Sequence, residues 1–134
     1  MSDENVETLR LAHAAYENGE FDAAVDMYLH PDIVWETRWP GLPPAYHGRD
    51  GVREWQRQVL EAVAIRMALV DARALDDETV LASYILRGAG RSSGVETEMK
   101  VFDVMSFRDG MIVRRQTFYS EEEAVAAADP SNPI

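Results

Sequence analysis

The chain has 134 residues, with 24 acidic against 13 basic side chains and a net charge of −11. That balance disfavours nucleic acid and anionic membrane surfaces, because both demand patches of Lys and Arg. There is no cysteine, which excludes disulfide and thiolate chemistry. A 46% hydrophobic and 28% charged composition suits one globular domain over 1–134 with a sizeable core. No apolar run has the length of a membrane span, and the start MSDENVETLR is acidic and polar, unlike a signal peptide. A cytoplasmic placement is therefore expected.

In chain order, Glu4 to Asn18 reads as a helix, capped by Ser2 or Asp3 and stopped by Asn18-Gly19. Val6, Leu9, Ala12 or His13, and Tyr16 form its apolar stripe. Glu20 to Leu29 is a second helix with Phe21, Ala24, Val25 and Tyr28 inward, ended by His30-Pro31-Asp32. Ile33 to Thr37 is a first strand, and Pro40 to Pro44 forces an irregular loop. Gly48-Arg49-Asp50-Gly51 opens a third helix, whose apolar line is Val52, Trp55, Val59 and Val63. Ile65 to Leu75 and Thr79 to Arg87 are strands around a turn at Asp76-Asp77, and Gly88 to Gly94 is a flexible loop. A terminal helix, Glu121 to Ala128, follows a Ser120 cap with Glu123 placed as in a capping box. Asp129 to Ile134 is a tail. Helices segregated before a run of antiparallel strands imply an α+β domain, with helices covering one face of a curved sheet over a cone-shaped cavity.

The stretch from Glu96 to Tyr119 reads as a long hairpin around Arg108-Asp109-Gly110. Two registers are open. A two-residue loop at Asp109-Gly110 sets Asp103 opposite Gln116. A three-residue loop with a glycine bulge sets Phe107 opposite Met111 and Asp103 opposite Arg115, and this is the preferred one. It gathers Val101, Asp103, Met105 and Phe107 with Val113, Arg115, Thr117 and Tyr119 on one face. The other face carries Lys100, Phe102, Val104, Ser106, Ile112, Arg114, Gln116 and Phe118. An apolar face with a few convergent polar groups is what lines a small-molecule pocket.

Several stretches then resemble the SnoaL-like polyketide-cyclase families of the NTF2-like superfamily: Gly19-Glu20-Phe21-Asp22-Ala23-Ala24, His30-Pro31-Asp32-Ile33-Val34-Trp35, His47 through Trp55, and Phe107 through Val113. Tyr119 with Ser120-Glu121-Glu122-Glu123-Ala124 is similar to the family's ending. The resemblance spans nearly the whole chain and implies a cone-shaped α+β barrel, with three N-terminal helices packed on a curved, mostly antiparallel sheet. Its known reactions transfer only in part. Against ketosteroid isomerases, Asp103 falls on the acid that donates to an oxyanion, but their base falls on Thr37 and their phenol on Ala12. The strand positions of limonene-epoxide-hydrolase-like enzymes fall on Tyr84, Leu86 and Thr117, so that Asp-Arg-Asp set is absent. SnoaL-type cyclases use a pocket aspartate as acid/base, a role open to Asp103.

The expected site follows. Asp103 moves a proton, while Arg115 and Tyr84 stabilise developing negative charge on an apolar, carbonyl-bearing or polycyclic ligand. Trp35, Trp39, Met99 and Met105 shape the cavity, with Thr117, Tyr119 and, at its mouth, His47 as further ligand contacts. His13 and His30 read as ordinary, and Trp55 as packing. The alternatives are a non-catalytic ligand-binding or dimerisation module with the same cavity, and a purely structural Asp103–Arg115 pair in a filled core. No metal-binding spacing and no phosphate-cradling loop occurs, so no cofactor is expected. Phe102, Val104, Ile112 and Phe118 on the outer face suggest a homodimer packed sheet to sheet, for which light scattering would give about twice the chain mass.

Overall fold

The computed structural model describes residues 2–38, 41–90 and 94–129, and for residues 2 and 60–64 the backbone alone. Its elements run α1 (Ser2–Glu17), α2 (Phe21–Tyr28), β1 (Leu29–Glu36), β2 (Ala45–His47), α3 (Gly48–Ala62), β3 (Val63–Asp76), β4 (Thr79–Gly90), β5 (Glu96–Arg108), β6 (Met111–Phe118) and α4 (Glu121–Ala128). The expected elements are there, with shifted limits. α1 starts at Ser2, so Asp3 sits with Glu4 in its first turn, where acids meet the positive end of the helix dipole. β1 begins at Leu29, four residues early. The short β2, unforeseen beside the proline-rich loop, pairs with β1 through Trp35↔Tyr46. β4 runs on to Gly90, into what reads as loop in the sequence. The rest of that loop (91–93) and the tail beyond 129 lie outside the described residues.

The six strands form one open sheet in the order β2-β1-β6-β5-β4-β3. β1 and β6 are parallel and the other neighbours antiparallel. Against β6, the register of β1 shifts between Leu29 and Val34, the stretch that contains Pro31. Proline has no N–H to give to a ladder, and an irregularity is where a sheet tolerates it. Beyond that shift Trp35 stands directly beside Arg115.

The long hairpin adopts neither expected register. Its loop is the two-residue one: Asp109 and Gly110 have φ of 55° and 76°, both left-handed as a type I′ turn requires. Arg108 pairs with Met111 and Phe107 with Ile112. The register then slips at Val113, and from Ser106↔Arg114 onward Asp103 faces Thr117 and Met105 faces Arg115. The inward set changes accordingly: Ile112 is buried in the core, while Val113 is only half-buried. Without that bulge Arg115 would point to the opposite face, because a one-residue slip turns every side chain over.

The inner face of the sheet packs on α1, α2 and α3. Leu9, Val25, Ile33, Val52, Val80, Ala82, Val101 and Phe107 belong to this core. Each fully buried Val, Leu, Ile or Phe contributes roughly 1.5–3 kcal/mol. Arg53 of α3 reaches α2, bonding the Asp22 carbonyl at 3.1 Å and the Asp26 carboxylate at 2.8 Å, which ties two roof helices together. α4 lies on the other face, where Ala124 covers Leu81, Val104 and Phe118. Val104 and Phe118 are therefore buried within the chain, and Ile112 is on the inner face. The exposed apolar surface that suggested a sheet-to-sheet homodimer is largely absent. No helix among the described residues is long and apolar enough to cross a membrane.

Ser120 begins α4 as read from the sequence, its hydroxyl accepting from the Glu123 amide at 3.3 Å. Ser120→Ala should cost about 1 kcal/mol in urea unfolding. An unchanged midpoint would mean that α4 does not depend on this cap.

Candidate functional site

Asp103 lies in the middle of β5, and 2% of its surface is exposed. Its Oδ2 accepts from Arg115 Nε at 3.1 Å, and its Oδ1 from the Thr117 hydroxyl at 2.8 Å. Both partners come from β6 at spacing two, so they share the inward face. The carboxylate thus has both oxygens engaged. The guanidinium carbon lies 4.3 Å from the ring centre of Trp35 and 5.1 Å from that of Trp55. The two indoles are 5.2 Å apart. Stacking of this kind holds a buried cation in place and contributes on the order of 0.5–2 kcal/mol.

Two donors on this wall have no partner. Arg115 Nη1 and Trp35 Nε1 are both buried and make no hydrogen bond among the described residues. Native proteins leave few such groups, and each one asks for an explanation. They border a cavity of about 90 Å3, lined on the helical side by Leu9, His13 and Tyr16 and on the sheet side by Tyr84, Asp103 and Arg115. A second lobe of about 40 Å3 lies beside it, lined by Thr37, Thr117 and Tyr119 among others. Tyr16, Trp55, Met67 and Arg115 border both lobes. A larger hollow of about 480 Å3 between Arg87 and Glu98 is polar and shares no residue with either lobe.

Tyr84 is buried on β4, its ring 5.4 Å from that of His13. Burial first, and then the negative charge of Asp103, push its phenol far above the ordinary range. It therefore stays protonated and can only donate to an anion. No hydrogen bond joins it to Asp103, whose partners are Arg115 and Thr117. His13 is 9% exposed, and burial lowers its pKa, partly opposed by Glu17. Glu17 Oε1 stands 2.8 Å from Nε2, at ion-pair distance, but outside the line of a formed hydrogen bond.

The structure brings together Asp103, Arg115, Tyr84, Trp35 and Met105 around the larger lobe, with Thr117 and Tyr119 at the smaller. Tyr119 is 44% exposed and donates to the Arg38 carbonyl at 3.4 Å. His47 is exposed on β2 and Met99 packs at the core margin; neither lines a lobe. Trp39 lies outside the described residues. His13, Tyr16 and Trp55, which the sequence reading gave only packing or ordinary roles, also line the cavity. The signal for His13 was present, a histidine in the apolar stripe of an amphipathic helix, yet it reads equally as core. Among the described residues no three His, Asp or Glu side chains converge as a metal site.

A family model described as a SnoaL-like domain matches residues 9–115. No curated protein matches the chain. Among solved structures, an NTF2-like protein of unknown function from Burkholderia pseudomallei is similar at 23% identity and a TM-score of 0.78, covering 92% of this chain and 95% of that one. TerC, co-crystallised with polyporic acid, is similar at 17% identity and a TM-score of 0.77, over 91% and 98%. An LEH-like epoxide hydrolase of M. tuberculosis gives 18% identity and a TM-score of 0.69, over 92% and 87%. At such identities the likeness concerns the fold, and this fold hosts unrelated chemistries.

Two measurements test the site's electrostatics. Asp103→Leu strands a buried guanidinium and should cost about 3–5 kcal/mol in urea unfolding, whereas Asp103→Leu with Arg115→Met should recover most of that loss. No recovery would show that the pair does not act as a unit. For Tyr84 the pKa is raised on folding, so its stabilising contribution is whole below the ordinary phenol value of 10.0 and declines as pH rises above it. In Tyr84→Phe the alkaline loss of stability should be shallower than in the parent chain.

Proposed function

The chain belongs to the SnoaL-like family, and we propose that within it this cavity takes a small apolar molecule by an electron-rich oxygen, as a cofactor-independent acid/base enzyme of the isomerase or cyclase kind. The observation that carries this is the meeting of three donors on the sheet side of the cavity. Arg115 Nη1 and Trp35 Nε1 are unpaired, and Tyr84 is held protonated. A carbonyl, enolate or carboxylate oxygen would satisfy them. Donors set in place before the ligand arrives favour the charged form of such an oxygen, since nothing has to reorient as charge develops.

Asp103 then serves by fixing the guanidinium. To move a proton itself, as the sequence suggests, it would have to use a lone pair left over by Arg115 and Thr117, which already engage both its oxygens. That observation also favours a second reading, a non-catalytic binder with the same donors. The volume bears on the ligand. About 90 Å3 is well below the ~300–1,000 Å3 of drug-sized sites. A few heavy atoms fit; a polycyclic molecule requires the wall shared by the two lobes to open.

Tyr84→Phe separates a binding role from a packing role. Its hydroxyl makes no hydrogen bond among the described residues, so removal should leave stability unchanged or raise it by up to about 1 kcal/mol. Affinity for isobutyrate, followed by tryptophan fluorescence, should fall about fivefold, the equivalent of one lost hydrogen bond of about 1 kcal/mol. The Asp103→Leu/Arg115→Met double variant should fold and not bind. A Tyr84→Phe chain that loses stability but binds isobutyrate as before would reduce the cavity to a packing defect.

A further inference from the structure

The proposed reading supplies a place for negative charge but no group to create it. Asp103 has both oxygens engaged, and Tyr84 is a donor only. One other side chain on the cavity is able to accept a proton. We propose that His13, on the α1 side of the cavity, is the base that removes a proton from the carbon next to the ligand's carbonyl, with Glu17 as its positioning residue; this rests on the functional reading above. The step balances without a co-reactant. A C–H bond breaks and an N–H bond forms on the imidazole. The C–H electrons become a C=C bond, and the carbonyl π pair moves to oxygen. The enolate oxygen accepts from Arg115 Nη1 and Tyr84. In a ligand with a C=C bond between the carbons β and γ to its carbonyl, return of the same proton to the γ-carbon completes an isomerisation and regenerates neutral His13; in a saturated ketone, its return to the α-carbon is seen as proton exchange.

The geometry supports this assignment. His13 is 9% exposed and lines the larger lobe together with Arg115 and Tyr84. Its ring lies 5.4 Å from that of Tyr84 and 5.6 Å from that of Tyr16, so the base and one oxyanion donor are neighbours. Glu17 is one helical turn away, half exposed, with its Oε1 2.8 Å from Nε2. A carboxylate at that distance stabilises the imidazolium formed when the proton arrives. The groups around it are Glu17 and Tyr16 on α1, Arg66 and the Met67 carbonyl on β3, and Tyr84 on β4, with Asp103 and Arg115 on the floor beyond. From α2 only the apolar Phe21, Ala24 and Val25 reach the cavity.

The signs follow. Burial holds the His13 pKa below its ordinary 6.5, while Glu17 raises it. The imidazole is neutral and competent at pH 7, and activity should fall as pH drops through its pKa. Removing the Glu17 charge lowers that pKa further, so the acidic limb moves to lower pH.

The test follows exchange of the α-protons of cyclopentanone in D2O by NMR, beside isobutyrate binding by fluorescence. The parent chain should accelerate exchange. His13→Gln should lose about 100-fold or more of that acceleration, as removal of a general base does, while still binding isobutyrate. Glu17→Gln, an exposed and conservative change, should fold, slow exchange at pH 8 because the imidazolium loses its carboxylate, and shift the acidic midpoint downward. Exchange that survives in His13→Gln, an acidic limb unmoved in Glu17→Gln, or a parent chain that binds isobutyrate without exchanging cyclopentanone would each overturn the assignment of His13. A parent chain that fails to bind isobutyrate overturns the functional reading itself.

Discussion

A guanidinium is buried in the middle of a sheet, and the site is arranged around keeping it there. Arg115 is 5% exposed and has one carboxylate partner, Asp103. Taking either charge out of water alone costs several kcal/mol, so the pair exists only if both partners and their remaining contacts are in place. That requirement reaches across three strands. β5 must bring Asp103 and β6 must bring Arg115 and Thr117 to the same face. β1 must run parallel to β6 so that Trp35 stands beside the cation. The bulge at Val113 is part of the same constraint, since it restores the phase in which Arg115 points inward.

The pair leaves an imbalance that is the most informative feature of the cavity. Both oxygens of Asp103 are hydrogen-bonded, but among the described residues Arg115 and Trp35 each retain a buried donor with no acceptor. Folding alone gives no reason to leave them so; a core built for stability alone would satisfy them or replace them with carbon. Local rules of consistency tend to be broken at functional positions, because a group already satisfied within the protein is unavailable to a ligand. The helical side contributes shape and dryness. Leu9, Phe21 and Val25 line it with apolar surface, and an apolar lining strengthens the field of the few polar groups that remain.

The two faces of the sheet have separate tasks. The inner one carries the cavity under α1, α2 and α3. The outer one is a small apolar patch covered by α4, whose Ala124 is fully buried against Leu81, Val104 and Phe118. The alternation of β5 and β6 serves both at once: Asp103 and Met105 face the cavity, while Phe102 and Val104 face α4. The same arrangement explains why exposed apolar surface inferred from strand alternation alone was misleading. A terminal helix of eight residues, five of them Ala or Val, is enough to cover a patch of that size.

What the sequence determined by itself was whatever depends on near neighbours. Helical spacing in α1 to α3, the Asp-Gly turn and the Ser120 cap follow from the chemistry of a few consecutive residues. Strand parity did the same for the inward placement of Asp103, Arg115 and Thr117: the preferred register was two residues off, and a slip of two leaves every side chain on its face. Only the tertiary structure decided which side chains meet across elements. It set His13 and Tyr16 from α1 and Trp55 from α3 against β4 and β6, kept His47 and Met99 off the cavity, and engaged both oxygens of Asp103. Such meetings depend on how helices sit on a twisted sheet and on a one-residue bulge. Those are fixed by packing over long sequence separations, which no local pattern encodes.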